Sequence, residues 1–169
     1  MSDHATTETF DAFFVEEFPR LVAILTAWSG SRSVAEELAQ DALLQALQRW
    51  DVVARLDSPG AWVRRVALNR SANEGRRRRR ERAAVDRLRV AAESSQREPT
   101  SIDEALWRRV RALSVAQRDV VVLRYVDDLP LAEIARVMGC AEGTVKKHLQ
   151  RARAALAAHI TATSDGSSE

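Results

Sequence analysis

A chain of 169 residues with one cysteine, four prolines and six glycines excludes several classes of protein at once. With Cys140 alone, no internal disulfide can form and no multi-cysteine zinc site can be built. The scarcity of Gly and Pro, and the lack of alternating β-branched runs, argue against a sheet protein. No stretch approaches the roughly 20 apolar residues that a membrane helix requires. The opening MSDHATTETF starts acidic and has no apolar segment of the secretory kind, so a cytoplasmic location is expected. A phosphate-binding glycine loop is missing, and His4, His148 and His159 are scattered. No enzyme, no cofactor and no metal site is therefore expected.

What is present is helix and segregated charge. Net charge is only +2, yet residues 1–60 carry 10 acidic and 4 basic side chains, and residues 61–84 carry 9 basic and 2 acidic. Residues 85–104 are net acidic and residues 105–160 net basic again. Two basic zones separated by an acidic stretch suit two contacts with a polyanion, although solvated helix faces would give the same pattern.

The helical reading runs as follows. Residues 10–28 form an amphipathic segment with Phe10, Phe13, Phe14, Leu21, Leu25 and Trp28 as its apolar side, ended by Gly30. Ser33-x-x-Glu36 matches a capping box for a second helix to about Trp50. Ser58 and Pro59 supply a cap and a first-turn proline for a third, which continues at least to Asn73. AAESSQREPTS, residues 91–101, reads as a linker. Further helices are expected over about Asp103–Ala112, from Ser114 (capping box with Gln117) to about Asp127–Asp128, from Pro130 to Met138, and from about Glu142 to His159.

LPLAEIARVMGCAEGTVKKHLQRARAAL carries the sharpest motif: two short helices joined by a Gly-containing turn, a helix-turn-helix. Ala135 is small where the helices would cross, Gly139 suits a left-handed turn, and Ile134 and Met138 face inward. In the second helix Val145, Leu149, Ala152 and Leu156 make an apolar stripe. Thr144, Lys147, His148 and Arg151 make an adjoining polar one. A helix that reads the major groove needs that division. Cys140 reads as a small core side chain; His148 either touches DNA or is solvated.

With both halves read, the chain resembles an extracytoplasmic-function RNA polymerase sigma factor of the sigma-70 family over about residues 10–158. Four stretches carry the likeness: AEELAQDALLQALQRW (35–50), DSPGAWVRRVALNRSANEGRRR (57–78), LSVAQRDVVVLRYVDDLPLAEIARVMG (113–139) and EGTVKKHLQRARAAL (142–156). The resemblance implies an all-α protein of two small helical domains joined by a flexible linker. Residues 10–84 would be sigma region 2, residues 85–101 the linker, and residues 102–160 the region 4 helix-turn-helix.

It also implies roles. The helix of residues 35–50 would dock on the clamp helices of the largest catalytic subunit of the polymerase core. Glu37, Gln40, Asp41, Leu44 and Gln48 share one of its faces, an apolar centre in a polar rim. Arg64, Arg65, Asn69, Arg70 and Asn73 would contact the minus-ten element, with Arg76–Arg80 adding salt-sensitive affinity or forming a solvated helix end. Trp62, on the same face as Asn69, reads as core packing before stacking platform. Thr144, Lys146, Lys147, His148 and Arg151 would contact the minus-thirty-five element, and region 4 would also meet the flap of the second large subunit. An anti-sigma factor is implied as a partner, and the free protein should be a monomer. Relatives commonly have Ser in place of Ala141 and Lys-Ser-Arg in place of Lys146-Lys147-His148, so the minus-thirty-five sequence does not follow from the resemblance.

Three other classes compete. An ordinary helix-turn-helix regulator would leave residues 35–50 and the arginine-rich helix unused, and should be a dimer. A recombinase would need catalytic residues that the sequence does not offer. A sequestering factor would have no need of a basic recognition helix.

Overall fold

The computed structural model describes the backbone of residues 2–88 and 102–164, with side chains at 10–75 and 103–158. Most of the expected linker, the side chains of Arg76–Arg80 and the extreme tail lie outside the described residues. Those that are described form eight helices and no strand: α1 (Ser2–Ser29), α2 (Arg32–Gln48), α3 (Trp50–Val53), α4 (Pro59–Leu88), α5 (Ile102–Ala112), α6 (Val115–Tyr125), α7 (Leu131–Met138) and α8 (Glu142–Ser164).

Helices α1, α2 and α4 make the first bundle. Leu21, Ile24, Leu25 and Trp28 of α1 are buried against Ala35, Leu38, Ala39, Ala42, Leu43 and Ala46 of α2. The small residues of α2 let the two helices approach closely. Trp50, on the short α3, packs at 5.2 Å and 4.9 Å from the Phe10 and Phe13 rings, closing one end of the bundle. This single turn of helix was not expected from the sequence; it has too few residues to show a period.

The α1–α2 junction corrects the expected cap. Gly30 takes a φ of 80° and its N–H closes on Thr26 O at 2.8 Å. Ser31, not Ser33, is the N-cap, its Oγ accepting from the Val34 N–H at 3.4 Å. Glu36 therefore does not complete a box; it pairs with Arg32 at 2.8 Å. The cap at Ser58 is as expected, accepting from the Ala61 N–H at 3.3 Å. So is the box at Ser114, where Gln117 Oε1 accepts from the Ser114 N–H at 3.3 Å.

Helices α5–α8 make the second bundle. Val110, Leu113, Val121 and Ala152 form one buried cluster with Trp107 and Leu156 beside it. Ile134, Ala135, Val137, Val145 and Leu149 hold the helix-turn-helix together, and Gly139 ends α7 in the left-handed region at φ 63°. The expected apolar stripe of α8 is the buried one. The helix itself continues past His159 to Ser164.

The two bundles do not stand apart. Helix α4 packs on α7, and α1 on α5 and α6. The main apolar cluster is continuous from Leu21, Leu25 and Leu68 to Val120, Leu123, Ile134 and Val137.

Candidate nucleic-acid and polymerase interfaces

Three surfaces carry the residues singled out in the sequence. On α2, Glu37, Gln40, Asp41, Leu44 and Gln48 are all exposed, opposite the buried alanines and leucines of the same helix. Leu44 is 52 % exposed and Leu47 beside it 46 %, so the sequence reading missed one apolar member of the patch. Val52 and Leu56, just beyond α2, are exposed too. Exposed leucines grouped with polar neighbours mark a contact surface more often than chance solvent exposure does.

On α4 the candidate residues divide. Asn69 and Asn73 are exposed, and Arg70 is half-buried in an ion pair with Asp41 at 2.6 Å. Trp62 is half-buried against the core, as its reading as packing requires. Arg64 does not face solvent: its side chain is 6 % exposed, Nε donates to Asp127 Oδ2 at 2.5 Å, and Nη1 lies 2.8 Å from Glu17 Oε2, out of line for a hydrogen bond. In this arrangement of the chain Arg64, expected at the minus-ten element, is turned inward and paired. Glu17 lies one face away on α1 and Asp127 follows α6, so no local pattern pairs them with Arg64. Burial raises the Glu17 carboxyl pKa, against the lowering pull of Arg64 and Arg20. The Arg65 guanidinium lies against the turn of the helix-turn-helix, where a Cβ on Gly139 would fall 2.8 Å from its terminal nitrogens. Asn69 and Arg65 border a cavity of about 110 Å³ with Leu68, Asp119, Val137 and Met138.

On α8, Thr144, Lys146, Lys147 and Arg151 are exposed and His148 is half-buried. Lys146 also borders a cavity of about 540 Å³ with Arg124 and Arg153, two cations that the sequence reading left out because they fall outside the α8 polar stripe. Arg153 Nε donates to the Tyr125 hydroxyl at 2.9 Å, and Arg124 Nη1 to Leu129 O at 2.9 Å. Among the described residues no cluster of three or more His, Cys, Asp and Glu could hold a metal, and no helix is long and apolar enough to cross a membrane.

A basic recognition helix set on a small helical bundle, joined to a second bundle with its own cationic helix, defines a two-part helical DNA-binding protein. Residues 13–81 match the family described as Sigma-70 region 2, and residues 103–156 match Sigma-70, region 4. The chain is 34 % identical over 122 residues to the RNA polymerase sigma-E factor of Streptomyces avermitilis, covering 72 % of this chain and 68 % of that one. It is 31 % identical over 150 residues to the ECF RNA polymerase sigma factor SigM of Mycobacterium tuberculosis, covering 88 % and 75 %. In structure it is similar to the sigma factor RpoE of Bartonella quintana, solved with the anti-sigma factor NepR, at a TM-score of 0.71 and 25 % identity over 91 % of this chain and 98 % of that one.

The chain belongs to the sigma-70 family and, within it, to the ECF RNA polymerase sigma factors. It binds core RNA polymerase and directs promoter recognition, DNA opening and transcription initiation. Sigma factors are not enzymes; they bring one to its start site.

Proposed function

We propose that the division of labour follows the two bundles. Residues 10–84 dock on the clamp helices of the largest polymerase subunit and read the minus-ten element. Residues 102–160 read the minus-thirty-five element and meet the flap of the second large subunit. The carrying observation is the exposed stripe on α2, where Leu44 sits in the open among Glu37, Gln40, Asp41 and Gln48 while every other apolar position but Leu47 turns inward. An apolar centre with a polar rim suits a protein interface.

For DNA, Arg65, Asn69, Arg70 and Asn73 form the minus-ten set, joined by Arg64 when its carboxylate partners release it. Asn69 suits a hydrogen bond to a base edge, and the arginines suit the freed backbone. Thr144, Lys146, Lys147, His148 and Arg151 form the minus-thirty-five set, with base contacts near the start of α8 and phosphate contacts further along.

The protein works without catalytic activity of its own, in the cytoplasm beside the polymerase, and serves a stress or envelope regulon. Its release is controlled by an anti-sigma factor, the kind of partner solved with the Bartonella quintana protein.

The test is a set of reconstituted holoenzymes carrying Asn69→Ala or Lys147→Ala, footprinted on one promoter. Loss of melting around minus ten with the first, and loss of protection around minus thirty-five with the second, are expected. Swapped or absent effects would overturn the division.

A further inference from the structure

We infer that the groove between α1 and α5 is a binding site for a small amphipathic carboxylate, its apolar tail lying along α1 and its head group on Arg111. None of the residues in the docking, minus-ten or minus-thirty-five sets lines this groove.

The groove follows from small residues in α1. Ala23, Ala27 and Gly30 border it, and none has a side chain long enough to fill the space between the two helices. A cavity of about 740 Å³ is left there, within the range that small-molecule sites occupy. Phe18 and Val22 line it from α1 and Trp107 from α5, and all three pack on the main core. Phe18 is also stacked on Phe14, with 5.2 Å between ring centroids. The apolar walls are therefore preformed.

Size favours a small molecule over a protein segment. The α1 lining runs from Phe18 to Gly30, about 18 Å at 1.5 Å per residue. Spread over that length, the cavity has a cross-section of about 40 Å², enough for an alkyl chain and at most about half that of a helix about 10–12 Å across.

Charge sits at one end. Arg111 lies along the α1–α2 turn, where a Cβ on Gly30 would fall 3.0 Å from its Nε and 3.1 Å from its Cζ. Gly30 has a φ of 80°, so one glycine both makes the turn and seats the guanidinium. Among the described residues nothing accepts a hydrogen bond from that guanidinium and no carboxylate is paired with it. Burial holds its pKa below the ordinary arginine value, the Arg108 charge adds to this, and Glu104 opposes it. A ligand carboxylate would supply a partner, and a guanidinium fork takes a carboxylate through two parallel hydrogen bonds. Two further charges border the groove. Arg32 is turned to Glu36 at 2.8 Å and is 78 % exposed, and Glu104 reaches Arg108 at 3.9 Å. Arg111 thus attracts the head group and Glu104 weakens that attraction.

The experiment is isothermal titration calorimetry of the full chain with decanoate, kept below its micelle concentration, and with decyltrimethylammonium, which has the same tail and the opposite charge. Wild type, Arg111→Gln, Glu104→Gln, Ala23→Phe and Arg136→Gln are compared. Ala23 is exposed at the groove, so a phenylalanine there fills it without entering the core. Arg136, on α7, does not line the groove and controls for the loss of one positive charge.

One decanoate per chain with a Kd below about 1 mM is expected for wild type and Arg136→Gln. Arg111→Gln should weaken it about tenfold or more, Glu104→Gln should strengthen it, and Ala23→Phe should abolish it. The ammonium should show no saturable binding. Absence of saturable decanoate binding to wild type would overturn the inference and leave the groove to a macromolecular partner. Equal binding of the ammonium would overturn it too, as adsorption by the tail alone, and so would full affinity in Arg111→Gln. Should Ala23→Phe fail to fold, the opposite signs at Arg111 and Glu104 decide.

Discussion

Arg70 of α4 and Asp41 of α2 face each other at 2.6 Å, so a residue of the proposed minus-ten set is paired with a residue of the proposed polymerase-docking face. Both side chains are about half open to water, and such pairs contribute at most about 1 kcal/mol. The pair matters for placement. On the proposed assignments, docking on the polymerase and gripping of the opened strand would use adjacent helices of one bundle. Asp41→Ala should weaken core binding, measured by fluorescence anisotropy, while changing unfolding free energy by no more than about 1 kcal/mol. Unchanged core affinity would remove Asp41 from the docking face.

Leu44→Arg should act more strongly at the same surface. An arginine at the apolar centre of a docking patch would be desolvated without a partner, so a loss of about tenfold or more in core affinity is expected. The exposure of Leu44 in the free protein means that thermal stability should stay close to wild type. Wild-type affinity would place the docking surface elsewhere.

Lys147→Ala should reduce promoter affinity without altering core affinity. If Lys147 contacts a phosphate, the slope of log affinity against log salt should fall by about one. If it contacts a base, the loss should instead depend on the minus-thirty-five sequence. No loss at any salt concentration would take Lys147 out of the interface.

The Gly139 turn should tolerate little. Its φ of 63° favours glycine, so Gly139→Ala should cost about 1 kcal/mol in urea unfolding. An alanine as stable as glycine would mean that the turn relaxes.

Asp119 gives the chain a pH dependence. Burial raises its pKa to about 6, opposed by the hydrogen bond from Trp28 and by the charge of Arg118. The native state therefore holds this proton to higher pH than the unfolded chain does. The group's contribution is most favourable below about pH 4 and is lost as pH rises through about 6, by something of order 1–3 kcal/mol. Glu17, also raised by burial, acts in the same direction. Asp119→Asn keeps an oxygen for the Trp28 indole. Urea midpoints at pH 5 and pH 7.5 should thus differ less, relative to wild type, in a variant that folds normally. Equal differences would show that Asp119 titrates as an ordinary carboxylate.

Much of this molecule is legible in its sequence because it rests on local signals. Ser58-Pro59, the Ser114–Gln117 box and Gly139 mark helix ends through contacts three or four residues apart. The α8 stripes are periodic, and the α2 face stands out by the one leucine placed among polar residues. At the start of α2 the expected cap, Ser33, gave way to Ser31: Gly30 turns the chain immediately after α1, and the next serine becomes the cap. The packing of the two bundles leaves no local mark. Arg64 meets Glu17 and Asp127 across 47 and 63 positions of chain, and a buried arginine on a cationic helix looks, in sequence, like one more exposed cation.

The most direct test of the sigma-factor assignment is run-off transcription with purified bacterial core polymerase, with and without the protein, on a pool of upstream genomic fragments. Discrete transcripts that appear only when the protein is added, with start sites sharing two upstream elements, are the expected result. Clear DNA binding by the protein alone, with no new transcript at any ratio to core, would contradict it and leave an ordinary helix-turn-helix regulator in its place.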